Sequence, residues 1–163
     1  MARKLYLAVF TKVLNIDFFL ILFVDYEYFD HTADIGVKAY GTDLSEVFIN
    51  AARGMFSIMF EMISEPVETK VLQVDLQNQE ENYEQLLVDW LNELLYLLEA
   101  EDAVLHRFKI KKLDGKVLKA EVVGAPFDAK HHRYKTEVKS ATYHMLEIGR
   151  ENDKYFATIL IDI

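Results

Sequence analysis

The stretch Tyr26-Glu27-Tyr28-Phe29-Asp30-His31-Thr32-Ala33-Asp34-Ile35-Gly36-Val37-Lys38-Ala39-Tyr40-Gly41-Thr42-Asp43-Leu44-Ser45-Glu46 contains a strand, a corner, a second strand and a helix start. The aromatic run Tyr26 to His31 favours a pleated strand. After a tight corner at Thr32-Ala33, Ile35, Val37 and Ala39 fall on one face by two-residue alternation, the mark of a half-buried strand. Asp43, with Glu46 three residues on, forms a capping box in its Asp variant and opens a helix. Leu44, Val47, Phe48, Ala51, Met55, Phe56, Met59 and Met62 recur at helical spacing, which predicts about five turns with one buried stripe. Such a Met and Phe stripe reads as core rather than as a cofactor or peptide groove.

Outward from there, Pro66 closes the helical region and Val67–Val74 reads as a strand. An acidic, polar stretch leads to a second helix, capped by Asn78 or Asn82. Its apolar face is Leu86, Leu87, Trp90, Leu91, Leu94, Leu95 and Leu98, while Asp89, Asn92, Glu93 and Glu99 read as a solvated polar face. Beyond it the pattern is strand-like. Val104, His106, Phe108 and Ile110 alternate with Leu105, Arg107, Lys109 and Lys111, and Asp114-Gly115 signals a hairpin. Val117–Val123 pairs back, Val138 to Leu146 alternates again, and Asn152-Asp153 turns the chain into a last strand ending at Ile163. The expected class is α+β: a two-layer fold with two main helices on a mostly antiparallel or mixed sheet of about seven strands.

Composition bounds the function. The chain of 163 residues suits one domain, and 52% hydrophobic with 28% charged residues is globular composition. A net charge of −9 argues against gripping a phosphate backbone by bulk electrostatics, which needs a basic stripe. With no cysteine there is no thiolate chemistry, Fe–S cluster, zinc knuckle or disulfide. That absence fits a reducing, cytoplasmic setting. Gly-rich phosphate loops, GxSxG and HExxH are missing as well.

Residues 1–24 stand apart. They hold three basic residues and one acidic one, so removing their +2 from −9 leaves −11 for the rest. Lys12, Asn15 and Asp17 break the apolar run, and a membrane-spanning helix needs about 20 predominantly apolar residues. A signal peptide would end in a small-residue cleavage site, which is missing here. The readings are a signal or anchor, an additional strand or helix, or residues upstream of the true start, with the domain proper occupying 25–163.

Candidate chemistry concentrates at two places. His31 and Asp34 flank a corner between strands, either as a satisfied turn or as part of a site. The last strand carries Asp162 beside Ile163. Were Asp34 to join Asp162 and the α-carboxylate of Ile163, three carboxylates would repel one another unless protonated or neutralised by a cation. Oxygen donors of that kind suit Ca²⁺, Mg²⁺ or Mn²⁺; spacing alone does not bring them together. His131-His132-Arg133-Tyr134-Lys135 is a small basic patch, read as an exposed loop or as a contact for RNA or an acidic partner. His144 reads as a core or hydrogen-bonded strand histidine.

Four ordered motifs resemble one family. Tyr26 to Val37 is similar to the opening signature of the archeases, and Leu86-Leu87-Val88-Asp89-Trp90-Leu91-Asn92-Glu93-Leu94-Leu95 to their second helix. Glu137-Val138-Lys139-Ser140-Ala141-Thr142-Tyr143-His144 and Ile161-Asp162-Ile163 are similar to their last two strands, with Ser140 where Ala is usual. Residues 1–24 have no counterpart in the resemblance. It implies a non-catalytic protein cofactor of the RtcB-type RNA ligase, which joins tRNA halves in splicing; the cofactor promotes guanylylation of the ligase and multiple turnover. It also implies a metal site on Asp34, Asp162 and Ile163, with Ca²⁺ the expected ion, and contact with tRNA only through the ligase. The alternatives are a metal-dependent hydrolase or nuclease using the same carboxylates, and a chaperone-like binding module for RNA-processing enzymes.

Overall fold

The computed structural model describes residues 24–163, so the expectations for the leader lie outside the described residues save at Val24. The elements run β1 (Tyr26–His31), β2 (Asp34–Gly41), α1 (Leu44–Met59), β3 (Phe60–Met62), β4 (Lys70–Gln77), α2 (Tyr83–Ala100), β5 (Val104–Leu113), β6 (Val117–Ala125), β7 (His132–Tyr134), β8 (Ser140–Glu151) and β9 (Lys154–Asp162). The strands form a four-stranded sheet ordered β1-β2-β9-β8, a three-stranded sheet β4-β6-β5 and a ribbon β3-β7. Every pairing is antiparallel. The α+β class and the two helices are as expected. The strand count among the described residues is nine rather than about seven, because β3 and β7 are three residues each and too short for periodicity to reveal.

The first hairpin closes on the pair His31 and Asp34, with Thr32-Ala33 as its corner. Asp43 then caps α1: its Oδ1 accepts the Glu46 N–H at 2.9 Å. The Glu46 carboxylate reaches one residue past the cap, accepting the Thr42 N–H at 2.6 Å and the Thr42 hydroxyl at 2.8 Å. Those bonds, the backbone one first, hold Glu46 below the usual carboxylate range. The helix stops at Met59, short of the expected Met62. Phe60 is already extended, and the Lys135 N–H donates to the Met59 carbonyl as β7 pairs with β3. Asn82, one of the two expected candidates, caps α2 by accepting the Gln85 N–H at 2.8 Å. The strand expected from Val67 begins at Lys70 instead, leaving Val67 89% exposed.

Ten of the sixteen residues of α1 are buried, more than one stripe provides. The reason is its position: α1 lies against β2 and β9 of the larger sheet and also against β5 of the smaller one. Likewise α2 touches β8 on one sheet and β4 on the other. The helices therefore serve both sheets, with one core cluster running through all of them. Trp90 is fully buried there, and its indole N–H donates to the Phe48 carbonyl at 3.1 Å, tying α2 to α1.

Candidate functional site

The four-stranded sheet sorts its residues by alternation. Ile35, Val37 and Ala39 of β2 stand opposite Ile161, Ile159 and Ala157 of β9, and all six belong to or pack against the core. The intervening residues face the other way. Cross-strand partners share a face, so register places His31, Asp34, Asp162 and Ser140 in one row across β1, β2, β9 and β8. Asp34 and Asp162 are thus direct neighbours, although 128 positions separate them in the chain.

The groups around this row are specific. The Asp34 carboxylate lies 3.2 Å from His31 Nδ1, an ion pair when the imidazole is protonated. The Lys139 N–H donates to the Asp162 carbonyl at 2.8 Å, and the Lys139 ammonium to the Ile163 main-chain oxygen at 2.9 Å. One step in from the row, Gly36 lies directly under the Phe29 ring; a Cβ at that position would stand 2.1 Å from the ring. With Phe29 on this face, Leu160 is fully buried. The ring thus borders the acid row on the same face of the sheet.

Strand β8 departs from the even alternation that its sequence suggests. Thr142 pairs with Leu160 and Glu147 with Thr158, so β8 advances five residues while β9 advances two. The additional residues form a bulge in which Met145 has φ 54° and Tyr143, His144 and Met145 are all exposed. His144 is therefore outside the core, one of the two settings expected for it. Its ring meets that of His31 edge-on, with centroids 5.7 Å apart. β1 and β8 are opposite edges of the sheet, roughly 14 Å apart at normal strand spacing, so the bulge arches over the outer face to make that contact.

Asn92 also departs from the place its sequence pattern suggests. Rather than facing solvent, its side chain accepts the Ala141 N–H at 2.9 Å and donates to the Ala141 carbonyl at 3.1 Å. It completes the open edge of β8 as a neighbouring strand would, just before the bulge. Helical periodicity assigned Asn92 to the polar face of α2, and carried no sign that a strand edge lies there.

The basic patch divides. His131 packs its Nδ1 against the Ser64 hydroxyl at 2.7 Å. His132 is 1% exposed, stacks on Phe127, and accepts the Asp128 N–H at 3.2 Å through Nδ1. Its Nε2 is buried without a partner, as is that of His106. Burial is the main cause that pushes the His132 imidazole below its ordinary range. Surface depressions among the described residues lie away from the acid row. One of about 280 Å³ is lined by Arg53, Phe56, His106 and Lys135 among others, and another of about 500 Å³ lies along Gln77 to Asp89.

A cation at the row would meet hard oxygen donors, as Ca²⁺ or Mg²⁺ prefers. Among the described residues no three His, Cys, Asp or Glu side chains gather closely enough to hold a metal. The donor set therefore fits only when Ile163 contributes oxygen beside the two aspartates. Its oxygen is the one on which the Lys139 ammonium sits.

A family model extends these local observations to the whole domain: the Archease protein family matches residues 26–163. The chain belongs to the archease family. It is 38% identical over 146 residues to the protein archease of Methanosarcina barkeri, covering 85% of this chain and 95% of that one. The archease of Pyrococcus furiosus is 38% identical over 142 residues, with 85% and 98% covered. Among solved structures, a Methanobacterium thermoautotrophicum protein in solution has a TM-score of 0.66 at 34% identity, covering 85% of this chain and 99% of that one. A Thermotoga maritima archease, described as a possible chaperone, matches at TM-score 0.50 and 22% identity over 84% of this chain and 96% of that one, a likeness of fold. No helix among the described residues of this archease is long and apolar enough to cross a membrane.

Proposed function

We propose that this archease activates an RtcB-type RNA ligase by presenting the Asp34–Asp162 row at the mouth of the ligase active site, without catalysing RNA chemistry itself. The observation that carries this reading is the register of β2 against β9, which makes the two aspartates cross-strand neighbours on the solvent face. Like charges directly opposite one another cost stability in a sheet, so their pairing is better explained by a cationic guest than by folding.

In this reading Asp34, Asp162 and Ile163 hold a divalent cation, with Ca²⁺ the first candidate. When bound, the ion would offset charge on the phosphate oxygens of nucleotidyl transfer. The chain's own residues prepare the place. His31 orients the Asp34 carboxylate through its 3.2 Å contact. Lys139 holds the end of β9 through its main-chain bond to Asp162, and its ammonium keeps the Ile163 oxygen company until a cation replaces it. The ligase supplies the contact with tRNA halves, in keeping with the acidity of this chain.

The test is guanylylation of the purified ligase with and without this protein across Ca²⁺, Mg²⁺ and Mn²⁺, beside Asp162→Ala. Strong stimulation by the wild-type protein, lost in the variant, is expected. A variant that stimulates as well as wild type would sink the reading. RNA cleavage by the isolated protein would put a metal-dependent hydrolase in its place, and suppressed aggregation of several unrelated proteins would favour a chaperone-like module.

A further inference from the structure

Around the acid row the least ordinary backbone is the bulge of β8, and neither the core nor the proposed cation site requires it. A bulge of several residues leaves main-chain groups unpaired and bends the strand, and such features gather near functional sites. Met145 has φ 54°, a left-handed conformation that side chains with a Cβ seldom adopt. Conformations of that kind persist when the surroundings over-determine them. Here the bulge is held from both sides: Asn92 clamps Ala141 from helix α2, and the His144 ring rests against His31 on the far strand.

What this held segment presents is apolar. Tyr143 is 58% exposed and Met145 55% exposed, two large side chains projecting from a fixed backbone. Aromatic residues and Met are enriched at the buried centres of protein interfaces. The surroundings are acidic. Partial burial, and after it the negative charge of Asp89 on α2, hold the Tyr143 phenol above its ordinary range. Asp34 and Asp162 lie on the other flank, reached through the His144 and His31 contact.

We propose that the β8 bulge is a docking knob, with Tyr143 and Met145 entering an apolar recess at the rim of the ligase's RNA-binding cleft. The partner is argued from complementarity. An apolar knob in an anionic collar fits an apolar recess in a cationic collar, and a cleft that binds RNA phosphates is lined with cations. The knob adjoins the row already assigned to the ligase mouth, so one surface serves both contacts. This inference rests on the ligase reading above and adds to it the surface that supplies affinity.

The experiment measures binding of the full chain to purified RtcB-type ligase by calorimetry, at low and at moderate salt. The double variant Tyr143→Ser with Met145→Ser is expected to bind roughly tenfold more weakly. Its melting temperature and its Ca²⁺ titration should match wild type, and Tyr143→Phe should bind as wild type does. Wild-type affinity should fall as salt rises, as a charged collar requires. Affinity within twofold of wild type in the double variant would overturn the knob and leave the ligase reading standing. No binding by the wild-type protein would overturn both. An equal loss of affinity for RNA without ligase would make the bulge a base-stacking platform instead and overturn the proposal.

Discussion

The two faces of the sheet β1-β2-β9-β8 are built from the same strands and do opposite work. On the inner face Val37, Ala39, Ala157, Ile159 and Ile161 are fully buried against the helices. On the outer face the corresponding row ends in His31, Asp34, Asp162 and Ser140, two of them carboxylates with nothing apolar to gain. Inside, energy comes from removing apolar surface from water, and every methyl counts. Outside, like charges stand side by side at some expense to the fold. The comparison teaches that stability and activity should separate by face, one residue apart along the same strand.

The largest stability effect is expected inside. Ile159→Ala removes fully buried methyl groups and leaves a cavity, costing about 2–5 kcal/mol in urea unfolding. Molecules that remain folded should still stimulate the ligase. Asn92→Ala should cost about 1–3 kcal/mol, since it leaves the buried Ala141 N–H and carbonyl unpaired. Amide hydrogen exchange at Ala141 should accelerate. Asn92→Asp should be equally harmful, because a carboxylate repels the Ala141 carbonyl that the amide served. A variant with unchanged exchange there would break the link between α2 and the outer face.

A smaller effect concerns acid. The His132 imidazole is held below its ordinary value of 6.5, so the unfolded chain takes up the proton first as pH falls. The contribution is fully present above about pH 6.5 and is lost as pH drops from there through the depressed folded value. His132→Asn should flatten the melting-temperature profile in that window, whatever it does to stability at pH 8. A profile as steep as wild type would show that another group controls it.

The smallest stability effect should accompany the largest functional one. Asp162→Asn relieves repulsion across the strands, so stability should hold or rise by a few tenths of a kcal/mol. Ca²⁺ binding and ligase stimulation should both disappear. A variant that lost several kcal/mol instead would mean that Asp162 belongs to the fold, and would erase the contrast between the faces.

Much of this was legible in the residues. Alternation at Ile35, Val37 and Ala39 marked the inner face, Asp43 and Asn82 capped the helices, and Asn152-Asp153 turned β8 into β9 with both residues at positive φ. Asp34 and Asp162 are candidates by chemistry and by resemblance. What escaped was non-local. Asn92 meets Ala141 across 49 positions, and His144 meets His31 across the width of a sheet. His132 lay in a stretch whose letters read as basic, yet Phe127 and Asp128 enclose it.

The sequence by itself determined most of the local grammar: the two helices and the seven longer strands, their caps and turns, and the main apolar face of each. These depend on neighbours within a few residues, which the chain carries with it. The tertiary structure decided register and curvature. Register alone puts Asp34 beside Asp162, and a slip of one residue would send either carboxylate to the opposite face. The β8 bulge, flanked by the Asn92 bonds to Ala141 from α2, decided that His144 meets His31 of the far strand beside that pair.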